Sequence, residues 1–182
     1  MRSTRAILTT TAATAGALAL SVFAAPAAGA DEVGGVTTVV LNPDVVPVLV
    51  DDLHVGLIEP GELGDASGLA QLAFPITAIE DEDIRHSGGL SFTTLDGATL
   101  EITEFAIQPG DGELEAEAAL DGAALEDDVD VFDLGDVQAI DGEPSCDGVA
   151  AGLTLADEAA AALGAPELEG VFIGNACVQP EA

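Results

Sequence analysis

The fold of this chain is decided by residues 84–108, whose sequence is IRHSGGLSFTTLDGATLEITEFAIQ. Two apolar segments flank a short turn at residues 95–97, Leu-Asp-Gly, and an Asp-Gly pair between such segments is a strong β-hairpin signal. The stretch also holds His86, one of two histidines, and Arg85, the only Lys or Arg beyond position 5. We therefore expect two paired strands here, around which the rest of the chain is organised.

Side-chain alternation places His86 on the apolar face of the first strand. Every second residue of a strand shares a face, so His86 lies in phase with Leu90 and Phe92. The glycine pair at 88–89 predicts a bulge or the close approach of another group. In the second strand the apolar phase changes at residues 103–104, which predicts a further bulge or bend.

Residues 1–30 have the pattern of a secretory signal peptide. Arg2 and Arg5 make the amino end positive, a small-residue apolar segment follows, and residues 28–30, Ala-Gly-Ala, form an A-x-A cleavage site. No Arg-Arg pair is present, which favours the general secretory route. A transmembrane anchor is the alternative interpretation. Cleavage leaves residues 31–182, which we expect to form a single acidic β-rich domain that is secreted or held at the cell surface.

The charge of the chain excludes some classes of partner. All 34 acidic residues lie beyond the signal, where Arg85 is the only Lys or Arg, so residues 31–182 carry a formal charge of −33 with both histidines neutral. Binding to nucleic acid or to an anionic membrane requires Lys and Arg to neutralise phosphate. We therefore expect neither partner. A solvated acidic surface is the simplest explanation of the charge, and adaptation to salty surroundings is the alternative.

The remaining patterns predict a mostly β fold. Residues 113–120 alternate strictly between apolar and acidic, as in a half-buried antiparallel strand. Residues 61–68 are expected to be a loop, and Pro75 predicts an edge strand over 69–79. The other predicted strands are 36–41, 54–58, 129–137, 149–155 and 168–178.

Two short helices complete the expected fold. One follows Asn42-Pro43-Asp44 and continues towards Leu53. The other spans 155–163, with Thr154 as its cap, Asp157 completing the capping box, and Gly164 ending it. The fold class predicted is an antiparallel β-sandwich or partly closed barrel with one or two short helices.

Cys146 and Cys177 are the only cysteines of the chain. In an exported chain such a pair predicts a disulfide, here joining the last strand to the loop before the Ala-rich helix. Free thiols or a shared metal are the alternatives, and the long spacing between the two cysteines disfavours the metal.

No catalytic motif is found, and we expect no catalytic residues. A Ser-His-Asp arrangement can be drawn from His54 or His86 and several serines, but any acidic chain with two histidines permits that drawing. His86 is interpreted as a buried imidazole bonded to a backbone carbonyl, and the alternative is a ligand-binding role in a pocket. A calcium site is a further candidate, because Asp128, Asp130 and Asp133, together with Asp127 and Asp136, place hard oxygen ligands in one segment.

Four short segments resemble the HtaA domain, a secreted β-rich haem-binding module of actinobacterial haem uptake. They are His86-Ser87-Gly88-Gly89-Leu90, the strand 100–107, residues 153–155, and Gly170-Val171-Phe172-Ile173-Gly174. In that family a tyrosine binds the haem iron and a histidine of an H-x-G-x-L strand supports it. His86 matches the histidine, but the chain has no tyrosine. The resemblance therefore implies that any haem is ligated by His86 or His54.

These observations favour an exported, monomeric, non-enzymatic binding or cell-surface-associated module whose ligand is unknown. The first alternative is an HtaA-like haem-binding protein. A secreted hydrolase is the second alternative, and it is the weaker one because no catalytic motif supports it.

Overall fold

The computed structural model of the chain describes residues 34–125 and 128–181. Its elements are twelve strands, one α-helix, a π-helical turn and a 3₁₀ turn. The strands are β1 (Gly35–Leu41), β2 (Gly56–Ile58), β3 (Glu62–Ala66), β4 (Leu69–Glu80), β5 (Asp83–His86), β6 (Gly89–Thr93), β7 (Thr99–Gln108), β8 (Glu113–Leu120), β9 (Ala123–Ala124), β10 (Val129–Gly135), β11 (Val149–Leu155) and β12 (Phe172–Pro180). The π-helical turn is Val48–Asp52, the helix α1 is Asp157–Ala162, and the 3₁₀ turn is Pro166–Leu168.

Eight of the strands close into an antiparallel barrel. Their order is β7-β5-β4-β1-β12-β11-β10-β8, and β8 pairs back onto β7. The four other strands, β2, β3, β6 and β9, extend the wall. The predicted antiparallel β class is therefore confirmed, in its barrel form rather than as a sandwich. Closure follows from β7, which is long enough to pair with β5 and β6 on one side and with β8 on the other.

The central hairpin has the features that its sequence predicts. A backbone hydrogen bond from Gly97 N–H to the Thr94 carbonyl, 2.8 Å long, closes the turn. The first strand is interrupted between β5 and β6, where Gly88 has φ of +90°. A Cβ on Gly89 would lie 2.2 Å from the Ile102 carbonyl oxygen, so the backbone approach needs glycine. The expected phase change is a bulge at Glu104, whose φ is +53°.

The interruption after His86 divides one part of the barrel wall. On the side of the interruption where His86 lies, which we call the lower side, β5 pairs with both β4 and β7. On the opposite, upper side, β4 pairs with β3 and β7 pairs with β6, and β6 in turn pairs with β2. Among the described strands, β2 pairs with β6 alone and β3 with β4 alone. The wall therefore has a seam between β2 and β3, which the residues 59–61 connect at its lower end.

Two predictions about this region are wrong. Residues 61–68 are not a loop, because β3 pairs with β4 through a two-residue turn at Ser67-Gly68, both with positive φ. The strand β4 is not at an edge, although it contains Pro75. The Pro75 carbonyl accepts a hydrogen bond from Ser87 N–H at the interruption between β5 and β6. The missing N–H of Pro75 therefore falls where the neighbouring ladder is already broken, which makes proline tolerable there.

The helix α1 is shorter than predicted and is not capped by Thr154. Thr154 pairs with Asp133 within β11, and the N-cap is Ala156, which makes no side-chain capping bond. Gly164 does end the helix, with φ of +69°. The buried face of α1, including Ala159 and Ala160, packs on the barrel core. The π-helical turn and α1 cover the same end of the barrel. They follow β1 and β11, and both of these strands finish at that end.

The predicted disulfide between Cys146 and Cys177 is present. It attaches the loop 136–148 to β12 on the outer face of the barrel. Asn175, also on β12 and 3% exposed, holds the same loop. Its Nδ2 donates to the Gln138 carbonyl at 2.7 Å and to Glu143 Oε2 at 2.7 Å, and its Oδ1 accepts from Gln138 N–H at 3.1 Å. The loop therefore has one covalent and one polar attachment to the last strand.

The predicted signal peptide, residues 1–30, lies outside the described residues. No helix within the described ranges is long and apolar enough to cross a membrane.

Candidate functional site: a cavity in the barrel

The interior of the barrel contains a cavity of about 460 Å³. It is lined almost wholly by aliphatic and aromatic side chains, and its polar lining residues are Thr37 and His86. The apolar lining comes from the alternate residues of the strands that point inward, such as Val39 and Leu41 of β1. Such alternation is what builds the interior of any β-barrel.

The covered end of the barrel forms the roof of the cavity. Residues 45, 46 and 48–50, within and before the π-helical turn, contribute to it, and so does Leu163 beyond α1. Two lining side chains are nevertheless well exposed, Val50 at 53% and Leu63 at 68%. The cavity therefore reaches solvent beside the π-helical turn and β3.

His86 lies on the wall of the cavity and is 2% exposed. Its Nε2 is 2.7 Å from the Thr37 hydroxyl oxygen, and its Nδ1 is 3.2 Å from the Phe105 carbonyl oxygen. A carbonyl can only accept, so Nδ1 carries the proton and donates, and Nε2 accepts from the Thr37 hydroxyl. Both ring nitrogens of a neutral imidazole are thus satisfied by the protein.

Burial lowers the pKa of His86 below its ordinary value of 6.5. The hydrogen bonds to the backbone of Phe105 and Ile84 act in the opposite direction, but desolvation is the larger effect. The neutral form agrees with the hydrogen-bond pattern, because an imidazolium could not accept the Thr37 proton. This environment suits a packed histidine in an apolar chamber.

His54 lies apart from the cavity lining. It is exposed, with φ of +46°, in the segment between the π-helical turn and β2. The two histidines that the sequence offers as haem ligands are therefore in different environments, one at the surface and one inside the barrel.

The acidic candidates for calcium are brought together in a different combination from that expected. Carboxylates of Glu113, Glu115 and Asp130 lie within 4.8 Å of one another on the outer face of β8 and β10. Asp133 is opposite Glu113 in the strand register, and Asp128 is exposed before β10. Asp127 lies outside the described residues. Of the aspartates predicted as calcium ligands, Asp130 is therefore the one that takes part in this cluster of three carboxylates.

The pKa values of these three carboxyl groups are all raised. Desolvation raises those of Glu115 and Asp130 most, followed by repulsion from neighbouring carboxylates. For Glu113 the largest cause is the charge of Asp130. Gln108 partly relieves Glu115 by donating from Nε2 to Oε2 at 2.6 Å. Like charges placed opposite one another in a sheet destabilise it.

Asp130→Asn is therefore expected to raise Tm by about 1–3 °C at neutral pH and low salt. A raised carboxyl pKa means that ionisation costs more in the folded state. The gain should then disappear as the pH falls through the folded pKa towards about 4, and it should shrink in high salt. Differential scanning fluorimetry measures it.

Asp141→Asn, in the exposed loop 136–148, removes the same charge away from the cluster and serves as the control. A lower Tm in Asp130→Asn, with loss of a stabilisation that Ca²⁺ gives beyond Mg²⁺, would contradict repulsion and indicate a calcium site.

Sequence reasoning found His86 but missed Thr37 and the cavity. Thr37 could have been noticed, since it shares the inward face of β1 with Val39 and Leu41 and is polar. The cavity has no signal of its own in the sequence, because filled and hollow barrels show the same alternation of inward and outward residues along their strands.

Comparisons with known proteins agree with this fold. No protein-family model matches the sequence, and no curated protein matches it significantly. Among solved structures, the haem binding protein HtaB from Corynebacterium glutamicum superposes with a TM-score of 0.57 at 10% identity, over 82% of this chain and 94% of that one. The C-terminal domain of HtaA from the same organism gives a TM-score of 0.45 at 14% identity, over 80% and 98%. The barrel described here has the HtaA-like fold.

Proposed function

We propose that this chain is a non-enzymatic binding module that holds a small apolar molecule inside its barrel. The observation that carries the proposal is the cavity of about 460 Å³, lined almost wholly by apolar side chains. Protein interiors pack at crystal-like density and contain few voids larger than one water molecule. A void of this size falls in the range of ligand pockets, roughly 300–1,000 Å³. Eight-stranded barrels are also wide enough to hold one small ligand.

The polar groups of the cavity support binding rather than catalysis. An acid-base or nucleophilic site needs a reactive group that is free to reach the substrate. Here Thr37 and His86 are hydrogen-bonded to each other, and His86 also donates a hydrogen bond to the Phe105 carbonyl. Within the described residues, no buried side-chain nitrogen or oxygen lacks a hydrogen-bond partner.

Haem is the second candidate ligand, supported by the similarity of the barrel to HtaB. The residues of the cavity do not fit haem as they are arranged. Both nitrogens of His86 are engaged, and the sequence has no tyrosine to replace it. Within the described residues the two haem propionates would also find no cation in the cavity, because Arg85 is exposed and lies 3.4 Å from Glu80 on the outer surface.

Export is part of the proposal. The signal pattern of residues 1–30 and the disulfide between Cys146 and Cys177 support it, since disulfides persist in oxidising compartments outside the cytosol.

The neutral fluorophore N-phenyl-1-naphthylamine tests the function. We expect one site with a Kd on the order of 1 μM, because a dry apolar chamber favours an uncharged aromatic ligand. Ala118 lines the cavity, and Ala119 follows it on the opposite face of β8. Ala118→Phe should fill the cavity and weaken binding at least about tenfold, while Ala119→Phe should not.

Equal binding by the two phenylalanine variants would place the fluorophore outside the barrel and contradict the proposal. Haemin is titrated in parallel. A Soret band of ligated haem that saturates at one equivalent, without fluorophore binding, would favour haem instead.

A further inference from the structure

We infer that the ligand enters through the seam between β2 and β3 and is a neutral or cationic amphiphile, not an anionic one. This inference rests on the proposed binding function, which it makes specific by naming the class of ligand.

The seam is where the barrel wall lacks strand pairing. Strands β2 and β3 diverge from the turn at residues 59–61, one continuing the β6 side of the wall and the other the β4 side. The lower end of the seam is closed by the close approach of the Gly88 and Gly61 backbones. They are so near that a Cβ on Gly88 would lie 2.7 Å from the Gly61 nitrogen. Above that contact, the seam leads to the end of the barrel that the π-helical turn covers.

Exposed apolar side chains mark this seam as the entrance. Val50 lies on the π-helical turn above it and Leu63 on β3 beside it, and both line the cavity while more than half exposed. Leu57 of β2, on the other side of the seam, also lines the cavity and is partly exposed. An apolar path therefore runs from solvent to the chamber.

Negative charge lies next to the residues that mark the entrance. Asp51 and Asp52 directly follow Val50, and Glu62 precedes Leu63. All three carboxylates are exposed. We call them the entrance carboxylates. A rim of one charge sign attracts opposite charge and repels like charge at the point of entry.

In the described part of the chain, no cationic side chain that could offset this repulsion lines the cavity. A carboxylate buried in an apolar chamber is costly unless a cation or several donors pair with it. Arg85 is the only Lys or Arg beyond position 5, and its side chain is 52% exposed on the outer surface. An anionic head group would thus be unfavourable both at the entrance and inside. A hydroxyl or ammonium head can remain at the rim while its apolar part fills the cavity.

Three molecules with the same ten-carbon chain test the inference: decanol, decylammonium and decanoate. Each competes with N-phenyl-1-naphthylamine for the purified protein at about pH 7, where the amine is protonated and the acid ionised. Decanol and decylammonium should displace the fluorophore, and decanoate should bind at least about tenfold more weakly than decanol. High salt should narrow the difference between decylammonium and decanoate, because it screens exposed charges.

Asp51→Lys/Glu62→Lys reverses two entrance charges and should strengthen decanoate binding by about tenfold, leaving decanol within about twofold. Asp141→Lys/Asp147→Lys makes the same change in net charge in the exposed loop 136–148 and is the matched control. Equal binding of decanoate and decanol by the unmodified protein would overturn the ligand class. An equal gain in both double variants would overturn the seam as entrance. Failure of the fluorophore itself to bind would instead overturn the proposed function.

Discussion

Replacing both Cys146 and Cys177 by serine is expected to lower the free energy of unfolding by about 3–4 kcal/mol. The disulfide joins residues separated by 31 positions, and closing a loop of that length removes this much conformational entropy from the unfolded chain. Tm should fall by about 6–16 °C for a domain of this size. Thermal and urea denaturation followed by circular dichroism measure the change.

Reduction provides the matching control for this variant. Dithiothreitol should lower the Tm of the unmodified protein to that of the double-serine variant, whose own Tm should not respond. If the double-serine variant has the same Tm as the oxidised protein, the hydrogen bonds from Asn175 are enough to hold the loop 136–148 without the disulfide.

Local chemistry explains which parts of the fold could be predicted. The hairpin turn at 95–97, the interruption at the glycines 88–89 and the bulge at Glu104 each depend on residues near in sequence. Strand β3 was missed because its sequence, ELGDA, is polar and mostly exposed, and only pairing with β4 makes it a strand. The edge-strand prediction from Pro75 is wrong for the same reason, since a proline is tolerated there because of the position of Ser87 across the sheet.

The site was less predictable than the fold. The phase of His86 with Leu90 and Phe92 predicted an inward imidazole, and all three line the cavity. Its partner Thr37 is 49 positions away, and the hydrogen bond between the two could be identified only once the pairing of the barrel strands was known. The Asp130 cluster likewise depends on the register between β10 and β8, and alternation within one strand does not determine that register.

His86→Ala is expected to lower the free energy of unfolding by about 3 kcal/mol, which corresponds to a fall in Tm of about 6–12 °C. The substitution leaves the Thr37 hydroxyl and the Phe105 carbonyl without a buried partner and enlarges the cavity. Arg85→Ala, one position earlier but 52% exposed, is the control and should change stability by less than about 0.5 kcal/mol.

The pH dependence of stability should also reveal His86. Its folded pKa is lowered, so below about pH 6.5 the unfolded state binds a proton that the folded state does not. Stability should therefore decline as the pH falls from about 7 towards the folded pKa. His86→Gln cannot titrate, and the difference between its pH profile and that of the unmodified protein isolates this contribution from the acidic cluster.

Ligand binding by the folded His86→Ala variant separates a packing role from a ligand role. If the imidazole serves only to satisfy Thr37 and Phe105 and to fill space, N-phenyl-1-naphthylamine affinity at a temperature where the variant is folded should stay within about threefold. A neutral aromatic ligand needs no donor from His86, and the apolar side chains that line the cavity are still present in the variant. The opposite result has a specific meaning. If the unmodified protein binds haemin with micromolar affinity and folded His86→Ala loses that binding, His86 must release Thr37 to ligate iron, and haem is the ligand of this barrel.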